Sequence, residues 1–134
     1  MKLYIEGRLG LILDGTGKDY NKISTFKKQL DTLGYDSYMI FVNTSLEVAL
    51  DRNEKRARKL PTDLVKKSWN DVQSNMGKFQ GLFGTGNMII VDNNRADEDI
   101  MTLAQKRIRK SITQPIRNTR AKAWIKRELE KRKR

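Results

Sequence analysis

The chain has 134 residues, 37% of them hydrophobic and 33% charged, which suits one domain with a single core and is too short for two. Cysteine and histidine are both absent, excluding disulfide scaffolds, thiolate metal sites, cysteine nucleophiles and imidazole acid–base catalysis; any chemistry is left to carboxylates, hydroxyls, cations and a hard metal such as Mg²⁺. The net charge of +12 is uneven: residues 1–105 carry 15 Lys/Arg against 14 Asp/Glu, whereas residues 106–134 carry 13 against 2.

No apolar run approaches the roughly 20 residues of a membrane span. The opening Met-Lys-Leu-Tyr-Ile-Glu carries an acid where a signal peptide would stay apolar. A cytoplasmic protein with no membrane partner is expected.

Leu9–Leu13 is a short apolar run without polar alternation, followed by the turn Asp14-Gly15-Thr16-Gly17, and reads as a strand buried on both faces. From Lys18 to Leu33 the apolar positions Tyr20, Ile23, Phe26, Leu30 and Leu33 recur at helical spacing, with Gly34 placed to cap the end. Ser37–Val42 is a second β-prone run, and Ser45 can cap a helix covering Leu46, Ala49 and Leu50. Pro61 breaks that helix, and Thr62-Asp63 opens another whose apolar stripe is Leu64, Val65, Trp69, Val72, Met76 and Phe79. After a glycine-rich turn at Gly81–Asn87, Met88–Val91 reads as a third strand. The acids Asp97, Glu98 and Asp99 then open a helix through about Lys110, as the helix dipole favours. Pro115 precedes a last basic stretch with Trp124, Ile125 and Leu129. The pattern predicts an α/β fold, a three-layer parallel sheet of about three strands with flanking helices over residues 1–111, and a basic helical tail over residues 112–134.

In an open parallel sheet ligands gather beyond the carboxyl ends of the strands, which directs attention to Asp14-Gly15-Thr16-Gly17, Asn43-Thr44-Ser45 and Asp92-Asn93-Asn94. An apolar run ending in Asp is how a P-loop enzyme sets a carboxylate near Mg²⁺ or its water; the same letters also spell a turn and a helix start. Gly17-Lys18 does not complete a phosphate loop, because the motif G-x-x-x-x-G-K-[ST] requires a hydroxyl residue where Asp19 stands and a glycine where Ile12 stands. Gly10 to Gly15 and Gly81 to Gly86 have the glycine spacing but continue with Thr16 and Asn87. In the basic cluster of Arg52, Arg56 and Arg58, Arg52 and Arg56 are four apart and are expected to share a helical face and converge on one phosphate; the alternative is a solvated charged helix, favoured by Asp51 and Glu54 among the bases.

Taken in order, Leu-Ile-Leu-Asp-Gly-Thr-Gly (11–17), Leu-Gly-Tyr-Asp (33–36), the stretch from Tyr38 to Arg56 and Met-Ile-Ile-Val-Asp-Asn-Asn (88–94) resemble the C-terminal half of zeta-toxin-like P-loop kinases, most closely those of tailed bacteriophages. The resemblance covers roughly residues 3–111 and rests on order and spacing. It implies ATP and Mg²⁺ as cofactors. Asp14, Gly15 and Thr16 would lie beside the phosphate loop with Asp14 toward the metal, Arg52, Arg56 and Arg58 would form a mobile lid, and Asp92 and Asn93 would lie near the nucleotide base. It also implies that the family's first strand, its phosphate loop and a substrate-side acid lie upstream of anything present here. The strand carrying the loop would run between those matching Leu9–Leu13 and Tyr38–Val42. The expectation is a portion of a phosphotransferase that is inactive alone, either a truncated or split product that takes an upstream kinase fragment or second subunit as partner or a remnant whose strands have closed up directly, in the host cytoplasm if the protein is a phage product. Zeta-like enzymes phosphorylate nucleotide sugars and related kinases act on polynucleotide ends, leaving the acceptor open. The other functional class is a non-catalytic nucleic-acid-binding protein using Arg117, Arg120, Lys122, Lys126 and Arg127. Trp124 would either stack on a base or pack in a small apolar stripe.

Overall fold

A computed structural model describes residues 2–95 and 97–133. A short helix α1 (Lys2–Glu6) opens the chain, followed by an extended segment and then α2 (Tyr20–Leu33). Helix α2 starts where the Asp19 carboxylate accepts the Lys22 N–H at 2.9 Å, and it ends at Gly34, whose φ of 103° lies in the left-handed region. Strand β1 (Met39–Asn43) leads to α3 (Leu46–Glu54), capped by the Ser45 hydroxyl, which accepts from the Val48 N–H at 3.3 Å. Past Pro61 runs the longest helix, α4 (Thr62–Phe83), and a 3-10 turn at Thr85–Asn87 connects it to β2 (Met88–Asp92). Two helices close the chain: α5 (Glu98–Ile112), capped by Asp97, and α6 (Thr119–Arg132), capped by Asn118.

The two strands pair in parallel, Met39 opposite Met88 through to Asn43 opposite Asp92, as a strand–helix–strand crossover requires. On one face α4 and α2 cover the sheet. Phe79 is fully buried there against Phe41 and Met88, its ring 5.6 Å from that of Tyr20 and 6.5 Å from that of Phe41. On the other face α5 lays Ala104, Ile100 and Ile108 over Ile89 and Val91. Strand β2 is therefore covered on both faces.

Three expectations are corrected. The first concerns Leu9–Leu13, which is not a strand: the segment is extended but pairs with nothing among the described residues, and Ile12 is 99% exposed. A strand needs a hydrogen-bonded neighbour, and β1 spends its pairing on β2. Side-chain bonds fix the segment instead, the Tyr35 hydroxyl donating to the Leu9 carbonyl at 3.0 Å and the Asn75 amide donating to the Gly17 and Lys18 carbonyls at 3.1 and 2.9 Å. The sheet thus has two strands where three were expected.

The second correction concerns β1, which is covered on one face only. Ile40 and Val42 remain 47% and 57% exposed because α5 sits over β2 and no described element covers the neighbouring strand. Asn43 turns its carbonyl toward β2, accepting from the Asn93 N–H at 2.8 Å, so the alternating Ile40 and Val42 turn their backbone groups to the free edge. The third correction is at Gly81–Asn87, where α4 continues through Gly81 to Phe83 and the chain turns only at Gly84, whose φ is 85°.

Candidate functional site

The loops beyond the carboxyl ends of β1 and β2 are bonded into one unit. Asp92 accepts the backbone and side-chain N–H groups of Asn94 at 2.9 and 2.6 Å, and Asn94 in turn accepts the Ser45 N–H at 2.7 Å. The Asp92 carboxylate is thereby occupied in holding its own turn, a local bond that short polar side chains favour. Asn93, half-buried beside it, borders an open depression of about 430 Å³ with Arg95, Asp97 and Met101. Neither Asp14–Thr16 nor the arginines of residues 52–58 line that depression.

Helix α4 ties the remaining loops to this end. Its Trp69 indole donates to the Thr44 carbonyl at 2.8 Å and its Gln73 amide to the Asn43 side chain at 2.7 Å. On another side, Ser68 accepts from Lys18 at 3.3 Å, Gly17 lies against Val72 and Phe79, and the buried Asn75 holds the Gly17 and Lys18 carbonyls. The Asp14–Lys18 turn and the Asn43–Ser45 loop are thus brought to neighbouring turns of one helix. Asp14, Gly15 and Thr16 themselves are exposed.

The arginines occupy a closed loop at the start of α4. Helix α3 stops at Glu54, so Arg52 is helical while Arg56 and Arg58 are not, and the expected shared helical face is not formed. Asn53 is the reason. Buried at 4% exposure, it donates to the Leu60 carbonyl at 2.9 Å and accepts the Leu60 N–H at 3.0 Å, pulling the chain back on itself. Within the loop Lys55 pairs with Asp51 at 2.7 Å and Lys59 with Glu54 at 2.9 Å. Among the described residues no carboxylate pairs with Arg52, Arg56 or Arg58, so these guanidinium groups carry the uncompensated charge. Ser68 lies six residues along α4 from Thr62, an axial rise of about 9 Å, which sets the scale between this loop and the Asp14–Lys18 turn.

As a metal site the arrangement offers one carboxylate, Asp14. No group of three acidic side chains able to hold a metal occurs among the described residues. That donor set fits Mg²⁺ carried in on substrate phosphates, which keeps several waters and takes only one or two protein carboxylates. For phosphates the sequence supplies cations but no G-x-x-x-x-G-K-[ST] motif.

Arg117, Arg120, Lys122, Lys126 and Arg127 lie elsewhere. The Asp36 carboxylate accepts the Arg117 N–H at 2.7 Å, and Asn118 donates to the Asp31 and Tyr35 carbonyls at 2.8 and 3.2 Å. This anchors the root of α6 at the end of the sheet where the strands begin. The length of β1, five residues or about 16 Å, separates that end from the loops just described. Trp124 is half-buried with the Arg8 guanidinium 5.2 Å above its ring, in keeping with the packing reading.

The family model for zeta toxin matches residues 1–103, more than three quarters of the chain. The chain belongs to the zeta toxin family. The match spans the Asp14–Lys18 turn, both strands and the arginine loop, and stops within α5, ahead of the basic residues from Lys106 onward. No match is found among curated proteins or among solved structures. Membership in the zeta toxin family gives a kinase-like, ATP-dependent phosphotransferase lineage. No described helix is long and apolar enough to cross a membrane.

Sequence reasoning passed over the asparagines that position these loops. Asn53 continues the spacing of Leu46, Ala49 and Leu50, and Asn75 sits in phase with Val72, Met76 and Phe79. A polar residue in register with an apolar stripe is the signal for such a buried clamp.

Proposed function

We propose that this chain is the C-terminal portion of an ATP-dependent phosphotransferase of the zeta-toxin or polynucleotide-kinase type, inactive alone, whose phosphate-binding loop comes from outside these residues. In this reading Asp14 faces Mg²⁺ or its water, Arg52, Arg56 and Arg58 neutralise the transferred phosphoryl group, and the Asp92-Asn93 turn flanks the nucleotide base. The observation that carries it is the free edge of β1. Ile40 and Val42 turn unpaired backbone groups to that edge and hold apolar side chains on the uncovered face beside it, while the equally apolar Leu9–Leu13 stands extended and unpaired among the described residues. Two unpaired apolar segments of one domain fit a strand inserted between them, since an open edge is costly in water.

The test is complementation. The chain is combined with the segment encoded immediately upstream, provided it contains a strand followed by G-x-x-x-x-G-K-[ST], and phosphoryl transfer from radiolabelled ATP is followed. The expected result is no turnover by the chain alone, turnover by the assembly, and loss of at least about a hundredfold when Arg56 and Arg58 are replaced by Ala. Turnover by the chain alone, or an assembly that forms but does not bind ATP, overturns the reading.

A further inference from the structure

The basic residues from Lys106 onward are built into the domain. Helix α5 returns along β2, carrying Lys106, Arg107, Arg109 and Lys110 toward the end of the sheet where the strands begin, and Arg107 donates to the Ile90 carbonyl at 3.3 Å. At that same end Asn118 closes α2 through the Asp31 and Tyr35 carbonyls and opens α6 through the Arg120 and Ala121 N–H groups at 2.9 and 3.3 Å. Gly34 permits the contact, because a Cβ there would stand 3.3 Å from the Ala121 nitrogen. Ala121, Trp124, Ile125 and Glu128 make up the less exposed face of α6. Of the exposed bases, Arg120 and Arg127 fall on one flank and Lys122 and Lys126 on the other. The ion pair found within α6 among the described residues is Lys131 with Glu128 at 2.8 Å, and that hydrogen bond holds the Glu128 carboxyl below its ordinary value.

We propose that the exposed face of α6, with Arg117 at its root, binds the phosphate backbone of a polynucleotide, on a surface separate from the loops at the carboxyl ends of the strands. Thirteen bases against two acids after residue 105 give the charge complementarity. A helix already docked loses little conformational freedom on binding. An anionic membrane is the poorer occupant, because an interfacial helix needs a free apolar face and α6 turns Trp124 and Ile125 toward the body of the domain. Base stacking is likewise not offered by Trp124, which lies beneath Arg8, so recognition rests on phosphate charge and ignores sequence.

The experiment is fluorescence anisotropy of a fluorescein-labelled mixed-sequence DNA duplex titrated with the full chain across a range of salt. Three proteins are compared: the unaltered chain, a variant with Arg120, Lys122, Lys126 and Arg127 replaced by Gln, and a control with Lys22, Lys28, Lys66 and Lys67 replaced by Gln. Circular dichroism verifies the fold of each. The α6 variant is expected to bind at least about tenfold more weakly at moderate salt, with the log–log salt slope shallower by roughly 3 to 4, near 0.9 per lost phosphate contact. The control keeps both within about twofold. Equal losses in the two variants, an unchanged α6 variant, or tighter binding to phosphatidylserine vesicles than to the duplex each overturn the proposal. Neither nucleotide nor phosphoryl transfer enters the readout, so it stands or falls apart from the phosphotransferase reading.

Discussion

Asn53 and Asn75 do for the loops what glycines and prolines do for turns, but from inside the core. Each spends a buried amide on backbone groups of a loop, Asn53 on Leu60 seven residues on and Asn75 on Gly17 and Lys18 far back along the chain. Replacing Asn53 by Ala leaves the N–H and C=O of Leu60 without their partner, at a cost of about 1 to 3 kcal/mol in urea unfolding. Trypsin should then cut after Arg56 and Arg58 faster than the global loss of stability accounts for. Asn53→Asp keeps the acceptor but sets a buried carboxylate oxygen against the Leu60 carbonyl, so it should destabilise at least as much as Asn53→Ala. Equal cleavage rates in all three proteins would show that the loop is held by something else. A sequence pattern reports that a residue is polar, and it does not report which distant carbonyl the residue will meet; the partners of Asn53 and Asn75 were therefore not legible.

Helices α2 and α5 and the starts of α3 and α4 were legible because their determinants are local, whereas α1 was not read and α3 ends at Glu54 instead of running to Pro61. Asp19, Ser45 and Asp97 cap where a short polar residue precedes an apolar-periodic run, and Gly34 ends α2 in the conformation only glycine adopts freely. Strand β2 was legible for a different reason: both of its faces find cover, so its unbroken apolar run matches its surroundings. Leu9–Leu13 was misread because an unbroken apolar run states only that burial is favourable, while strand formation depends on a neighbour that local pattern cannot specify. Of the candidate loops, those after Val42 and Val91 do follow strand ends, whereas the turn after Leu13 follows a segment that is not a strand and the shape of the arginine loop depends on a bond to Leu60. The exposure of Ile12 yields a test at this scale. Ile12→Ser should change unfolding stability in the isolated chain by no more than about 0.5 kcal/mol, as expected of a solvated position. In the complemented assembly the same change should weaken association of the two parts, measured by titration calorimetry. A large loss of stability in the chain alone would place Ile12 in a core.

The whole molecule is structurally polar. One end gathers turns, caps and the arginine loop; the other gathers the docked root of α6 and the basic end of α5. Between them the uncovered face and free edge of β1 form an apolar strip that invites pairing. In isolation the chain should therefore self-associate, and sedimentation velocity should find the unaltered protein sedimenting faster as concentration rises. Val42→Lys places a charge on that strip at a position already 57% exposed, so it should suppress association while leaving the thermal midpoint nearly unchanged. Association that persists in this variant would move the contact elsewhere.

Helix α4 reaches about 33 Å over its 22 residues and touches both walls of the strand-end region, through Ser68, Val72 and Asn75 on one side and Trp69 and Gln73 on the other. Those walls consequently behave as a vise with its jaws cast in a single piece: a tilt of the helix carries both, and the gap between them keeps its width. In the proposed phosphotransferase, adjustment to substrates of different size then falls to the guanidinium-bearing loop at the helix's leading end, whose closure rests on the Asn53 amide.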